Sequence, residues 1–307
     1  MELPRIAEEQ EVELFTSTQG DTAGPPLIAR AFGTTDRGRV RPTNQDQFVI
    51  ATITGSMWIE QSSFPQARVQ CGGPQGHVFV VADGLGGHAG GEEASVLAVE
   101  AIESFLLSAI GWLESLEGHD AVVLDELKSA LRRADAAVSA EAKARPELAA
   151  MGTTLTIACS IENVLYIAHA GDSRAYLRRD GLLHQLTHDH TIVSELVDAG
   201  VIEKEAAKHH ELRHMVTNVV GGGTTGVRAE VHKLRLKTDD ILLLCTDGLT
   251  ETVPLDRIDA ILESRKDPQS ACKRLVAAAN DEGGFDNVTA LVARFEPRRE
   301  QAPVAPS

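Results

Sequence analysis

Short apolar runs broken by turns, together with two long stretches of helical periodicity, set the pattern of this chain. The runs Val78–Ala82, Thr154–Cys159, Val164–Ala168, Arg174–Leu177, Ile241–Cys245 and Val288–Val292 predict β-strands. Several follow one another with only turns between, as in TTLTIACSIENVLYIAHAGDSRAYLRRDG, which predicts an antiparallel meander. Over Glu92–Leu116, Ala94, Leu97, Ala98, Ala101, Ile102, Phe105 and Leu106 fall on one helical face. Over Ala121–Ala144, Val123, Leu127, Leu131, Ala134 and Val138 do the same. Consecutive strands with paired helices predict α+β architecture built on antiparallel sheets.

Residues 187–230 differ in character, with two short helical stretches, many histidines and a glycine exit, and read as a flap over a site. Residues 55–77 read as a loop or an extended hairpin. The polar N-terminus up to about residue 27 predicts a flexible arm, and EPRREQAPVAPS a disordered tail.

Composition narrows the function. The net charge of −16 over 307 residues argues against a nucleic-acid partner and against docking on anionic membranes. Cys71, Cys159, Cys245 and Cys272 form no CxxC pair, as expected for reduced thiols in a cytoplasm. No apolar run reaches the ~18 residues of a membrane span, and MELPRIAEEQEVEL has no signal-peptide core. These features predict a cytoplasmic protein.

Five aspartates stand in glycine- or amide-rich turns: Asp46, Asp83, Asp172, Asp247 and Asp286. Each alone is an ordinary turn former. Five in like surroundings suit hard divalent cations, which need anionic oxygen ligands from several segments. Other chemistries fit less well. GLGGHA after Asp83 matches GxGxxA, but Asp83 would set a negative charge beside a pyrophosphate. The ribose-binding acid of such a site would fall inside a helix, near Glu103. Cys245 lacks the arginine of a Cys-x5-Arg loop, because position 251 is Glu251, and reads as a buried strand residue. His188, His190, His209, His210 and His214 match neither HxHxDH nor HExxH and read as turn, cap and surface residues. His88 lies in the Asp83 loop, where an imidazole could donate a proton, and Arg41 lies five residues before Asp46.

The segments RPTNQD, VADGLGGHAGGEEAS, MGTTLT, AHAGDSRAYL, LTHDHT, LCTDGLTE and GGFDNVTALV occur in this order. Together they resemble the successive signatures of bacterial serine/threonine phosphatases of the protein phosphatase 2C family, the metal-dependent PPM class, from about Ile28 to Arg294. The resemblance implies two stacked antiparallel sheets flanked by helices on both sides, with a binuclear Mn²⁺ or Mg²⁺ centre. It implies a catalytic domain over 28–296 with a flap at about 191–226, between the arm 1–27 and the tail 297–307. By motif, Asp83 would bridge two metals, Asp247 and Asp286 would complete the first site, and Asp46 and the Gly84 carbonyl would serve the second. Asp172, Asp247 and Glu251 match a third, weaker site. Arg41 matches the phosphate-binding arginine, His88 the general acid, and Asn287 a partner behind the ligands. Gln45 stands where many members have glutamate, and Glu251 where aspartate is common.

The function implied is hydrolysis of phosphoserine and phosphothreonine by a metal-activated water. Phosphorylated proteins, a serine/threonine kinase and its substrates among them, are the expected partners, and the protein is expected to be a monomer. The rival readings are a catalytically weak relative that binds phosphoproteins and a metal-dependent phosphoesterase of a non-protein substrate.

Overall fold

Strand residues that are apolar on both faces must be covered on both faces, and this decides the layering. The structure, a computed structural model, describes residues 11–13, 25–53, 56–62, 69–71, 76–86, 88–113, 120–161, 163–223 and 226–298. Of residues 11–13, 56–62, 69–71, 88–89 and 109–113 it describes the backbone.

In chain order the strands are β1 (Glu11–Glu13), β2 (Leu27–Asp36), β3 (Asp46–Ile53), β4 (Ser56–Ser62), β5 (Val69–Cys71), β6 (Gly76–Leu85), β7 (Gly152–Thr153), β8 (Leu155–Ile161), β9 (Val164–Ala170), β10 (Arg174–Arg179), β11 (Leu182–Gln185), β12 (Val220–Gly221), β13 (Glu230–Arg235), β14 (Ile241–Cys245) and β15 (Val288–Pro297). The helices are α1 (His88–Leu113), α2 (Asp120–Ala144), α3 (Ile192–Asp198), α4 (Lys204–Ala207), α5 (Asp247–Thr250), α6 (Leu255–Ser264) and α7 (Pro268–Asp281). One sheet runs β1-β13-β9-β8-β6-β3-β4-β5, with β7 and β12 paired beside it; the second runs β11-β10-β14-β15-β2. All pairs are antiparallel except β1 with β13.

Side-chain alternation sorts the core into three layers. Val49, Ala51, Val78 and Val80 pack with Ala98, Ile102, Leu127 and Leu131 of α1 and α2. Phe48, Ile50, Phe79 and Val81 point the other way, against Leu242, Leu244, Leu291 and Phe295 of the second sheet. Ile241, Leu243 and Val292 then meet Ile258, Leu262 and Leu275 of α6 and α7. The expected α+β sandwich with helices on both sides is the observed one.

Several expectations are corrected. The meander breaks after β9: β10 leaves for the second sheet and pairs with β14 and β11. The expected arm contains Glu11–Glu13, which pairs with Val231–Lys233, and strand β2 already begins at Leu27. Pro297, assigned to the tail, is the last residue of β15 and pairs with Leu27. Residues 1–10, 14–24 and 299–307 lie outside the described residues. Within 55–77, Ser56–Trp58 of β4 pair antiparallel with Val69–Cys71 of β5, as in the hairpin alternative, while Gly76 and His77 already belong to β6. Helix α1 starts at His88, four residues before the periodic face suggested, because Ala89, Gly90 and Gly91 carry no apolar pattern. Among the described residues no helix is long and apolar enough to cross a membrane.

Candidate metal centre

Strand ends from both sheets deliver the acidic residues to one end of the sandwich. A cavity of about 800 Å³ there is lined by Arg41, Gln45, Asp83, Gly84, Asp172, Asp247, Glu251, Asp286 and Asn287, with Arg213 and His214 from the flap. Asp46 lies beneath it, fully buried, as the cross-strand partner of Asp83.

The backbone around Asp83 is clamped by hydroxyls. Its N–H donates to Thr154 Oγ1 at 2.9 Å, and its carbonyl accepts from Thr153 Oγ1 at 2.8 Å and from the Thr154 N–H at 2.9 Å. Thr154 Oγ1 in turn meets Ser173 Oγ at 2.8 Å, linking this clamp to the turn that carries Asp172. Gly84 must be glycine, since a Cβ there would stand 2.1 Å from the Gly91 carbonyl oxygen. Asp46 Oδ2 accepts from Thr246 Oγ1 at 2.8 Å and Thr289 Oγ1 at 2.7 Å. Asn287 ties down the Arg41 loop: its amide donates to the Arg37 and Thr43 carbonyls, both at 2.9 Å, and its Oδ1 accepts from the Gln45 N–H at 2.8 Å. Arg41 donates to Asp286 Oδ2 at 2.6 Å, and this partner raises its already high pKa.

Electrostatically the cluster is under-compensated. Burial pushes the Asp46 carboxyl up to about 7, against the pull of its two threonine donors. Burial, then the charges of Asp286 and Glu251, push Asp247 up to about 6. Asp83 is driven well above the ordinary range by burial and by Asp46, Asp247 and Asp172, and Asp172 likewise by burial and Asp247. Asp46 Oδ1 and Asp247 Oδ1 are buried and lack a hydrogen-bond partner. Buried carboxylate oxygens without donors fit cations, which neutralise the charge and use the free lone pairs. The donor set, all oxygen, suits Mn²⁺ or Mg²⁺.

A family model described as Protein phosphatase 2C matches residues 54–293. The chain belongs to the protein phosphatase 2C family. Among its relatives in this family, the serine/threonine phosphatase stp of Listeria monocytogenes is 32% identical over 262 residues, covering 84% of this chain and 92% of that protein. The serine/threonine protein phosphatase PstP of Mycobacterium tuberculosis is 36% identical over 270 residues, covering 87% of this chain but 45% of PstP. A crystal structure of the PstP catalytic domain in complex with 2 manganese ions superposes with a TM-score of 0.68 at 32% identity, covering 88% of this chain and 99% of that one.

For this phosphatase 2C chain, the structure brings Arg41, Asp83, Gly84, Asp172, Asp247, Glu251 and Asp286 to one cavity, with Asp46 below it. Glu251 is the outlier, being exposed and facing Arg213 Nε at 3.7 Å. His88 opens α1, but its side chain lies outside the described residues.

Sequence reasoning missed the clamping hydroxyls of Thr153, Thr154, Ser173, Thr246 and Thr289. Their signal was a hydroxyl inside or beside an otherwise apolar run, as in CTDG and DNVTALV. It also missed Arg213 and His214, which only tertiary packing of the flap brings to the cavity. His190 is no surface residue. It stacks on buried His169 with ring centroids 5.0 Å apart and pairs through Nε2 with Glu230 at 3.1 Å. Among the described residues, His169, His190 and Glu230 are the trio whose ligand atoms all lie within 4.8 Å of one another. Their ring nitrogens are already engaged. His169 Nδ1 meets Thr156 Oγ1 at 2.8 Å, His169 Nε2 the Gly171 carbonyl at 3.0 Å, and His190 Nδ1 accepts from the Gly171 N–H at 3.1 Å. This trio supports the Asp172 turn from behind.

Proposed function

We propose that Asp83 is shared by two divalent cations, with Asp247 and Asp286 completing one site and Asp46 and the Gly84 carbonyl serving the other. Asp172, Asp247 and Glu251 form a weaker third site in this reading. The enzyme is a metal-dependent serine/threonine protein phosphatase, and its substrates are phosphorylated proteins. The observation that carries the site assignment is the pair of buried, donorless oxygens on Asp46 and Asp247 beneath a cavity rimmed by Arg41.

Bound Mn²⁺ or Mg²⁺ supplies Lewis acidity, making a coordinated water acidic enough to serve as nucleophile near neutral pH. The chain's own residues do the rest. Asp286 engages the Arg41 guanidinium through one oxygen, and its other oxygen accepts from the Asn287 N–H at 2.8 Å. Each carboxylate oxygen keeps a further lone pair for a cation. The remaining Arg41 donors fork onto phosphoryl oxygens and offset the charge that spreads over them during transfer. His88 protonates the departing serine or threonine oxygen. The threonine and Ser173 hydroxyls hold the carboxylate-bearing backbone in place, so little reorganisation accompanies the reaction.

In this reading the catalytic domain runs from Leu27 to Pro297, the outer pair of β2 and β15, with the flap at about 191–226. The protein acts as a cytoplasmic monomer that opposes a serine/threonine kinase; the acidic net charge and the widely spaced cysteines support that setting.

Assays of phosphothreonine and phosphoserine peptides, p-nitrophenyl phosphate and nucleotides, each with Mn²⁺ and with EDTA, test this reading. Peptide turnover should require metal, stop in EDTA and return on adding Mn²⁺. Full turnover in chelator, or turnover of nucleotides alone, would overturn it.

A further inference from the structure

Val40 and Phe285 are each 63% exposed, and each sits one residue before a partner of the Arg41–Asp286 ion pair. Large apolar side chains left in water beside a charged clamp gain free energy when something covers them. Phe285 lines the same cavity as the acidic residues. Its ring is seated on bare backbone: a Cβ on Gly283, which has φ +121, would stand 2.6 Å from two ring carbons. The loop below is held at both sides. The Gly284 carbonyl accepts from the Arg39 N–H at 2.7 Å, and the Gly284 N–H donates to the Ala279 carbonyl at 3.1 Å. An aromatic ring on a fixed loop presents apolar surface at little entropic cost.

A phosphoryl group at Arg41 fixes where the rest of a peptide substrate runs, because consecutive Cα atoms lie only about 3.8 Å apart. Residues one or two positions from the phosphorylated side chain would then lie within reach of the Phe285 ring, which lines the same cavity as Arg41. We propose that Phe285 is the floor of a subsite for an apolar side chain flanking the phosphoserine or phosphothreonine, which makes the flank a determinant of turnover. The subsite rests on the phosphoprotein reading above, and its continuity with the acidic cavity is what assigns it to substrate rather than to a second copy of the chain.

The test compares two phosphothreonine peptides of equal length and charge, with Leu or with Ser at the two positions on either side of the phosphothreonine. The wild-type enzyme should favour the Leu peptide in kcat/KM by about tenfold, mainly through KM, the discrimination typical of a partly enclosed apolar contact. Phe285→Ala should bring that ratio close to unity, and Phe285→Trp should keep it. A ratio taken within one preparation cancels any loss of folded enzyme. Equal turnover of both peptides by wild type, or an undiminished preference in Phe285→Ala, would overturn the subsite. So would a concentration-dependent dimer abolished by Phe285→Ala, which would give the ring to a second copy. Hydrolysis of p-nitrophenyl phosphate without turnover of either peptide would instead remove the phosphoprotein reading, and the subsite with it.

Discussion

Asp46 and Asp83 face each other across the paired strands β3 and β6, the one fully buried and the other on the cavity floor. Like charges directly opposite on an antiparallel ladder are destabilising, and burial worsens this. The ladder nevertheless holds them there, because eight consecutive pairs from Asp46↔Asp83 to Ile53↔Gly76 fix the register. A slip of one residue would turn the apolar sets of β3 and β6 to the wrong layers. The core thus enforces a carboxylate pair that the protein alone does not neutralise.

Metal-free stability should depend on pH in a definite direction. Asp46 at about 7 and Asp247 at about 6 are raised above the ordinary 3.8 of an unfolded chain. The folded state therefore holds these protons more tightly. The stabilisation from this is complete below about pH 4 and is lost as pH rises through 6 to 7. In EDTA the melting temperature should fall between pH 5 and pH 8, and Mn²⁺ should raise it more at pH 8 than at pH 5. Asp46→Asn should flatten the EDTA curve. A metal-free melting temperature that rises with pH would contradict the assignment.

Asp83→Asn and Asp247→Asn each remove one negative charge from the shared centre while keeping shape. Because each variant relieves repulsion, neither should melt lower than wild type in EDTA. Phosphopeptide turnover should drop by more than about 100-fold, beyond what residues behind a metal's direct ligands typically cost. Wild-type rates in either variant at saturating Mn²⁺ would be incompatible with metal ligation.

Arg41→Ala should be milder. Arg41 is exposed and its contact with Asp286 contributes little to folding, so the melting temperature should hold. Losing a charge-assisted bond to phosphate costs about 1.5–3 kcal/mol, or roughly 10- to 150-fold in affinity. Inorganic phosphate should accordingly inhibit the variant much more weakly. Equal inhibition of variant and wild type would show that Arg41 does not clamp phosphate.

The antiparallel α+β character was legible in the consecutive apolar runs, whereas the stacking of two sheets between helices came only with the family resemblance. Strands such as Ile241–Cys245, apolar at every position, fit that stacking because they need cover on both faces. The departure of β10 was not legible. The Gly171–Ser173 turn looks like any hairpin turn locally, and only pairing with β14 reveals that it crosses between sheets. Likewise the aspartates were visible through their turns, whereas Thr246 and Thr289 act across more than 190 residues on Asp46. Such long-range hydrogen bonds leave no periodicity in the sequence. The place of Arg213 depends on how the flap packs, which its own residues do not encode locally.

The proposed third site would tie that flap to the metal centre. Asp172 lies on the cavity wall with its carboxyl raised by burial and by Asp247, while Glu251 is drawn toward Arg213 at 3.7 Å. If Asp172 serves a cation, Asp172→Ala should remove a weak Mn²⁺-binding phase in calorimetry, keep the tight phases and cut peptide turnover. Its melting temperature should not fall, because an acid whose charged form burial and Asp247 disfavour has been removed. If Asp172 only orders its turn, the weak phase should persist and the melting temperature should drop. Arg213→Ala separates the two further. An exposed ion pair is worth about 0.2–1 kcal/mol, so freeing Glu251 should tighten the weak phase by roughly 1.4- to fivefold. No change in that phase would place Glu251 outside the metal centre and leave the third site to Asp172 and Asp247 alone.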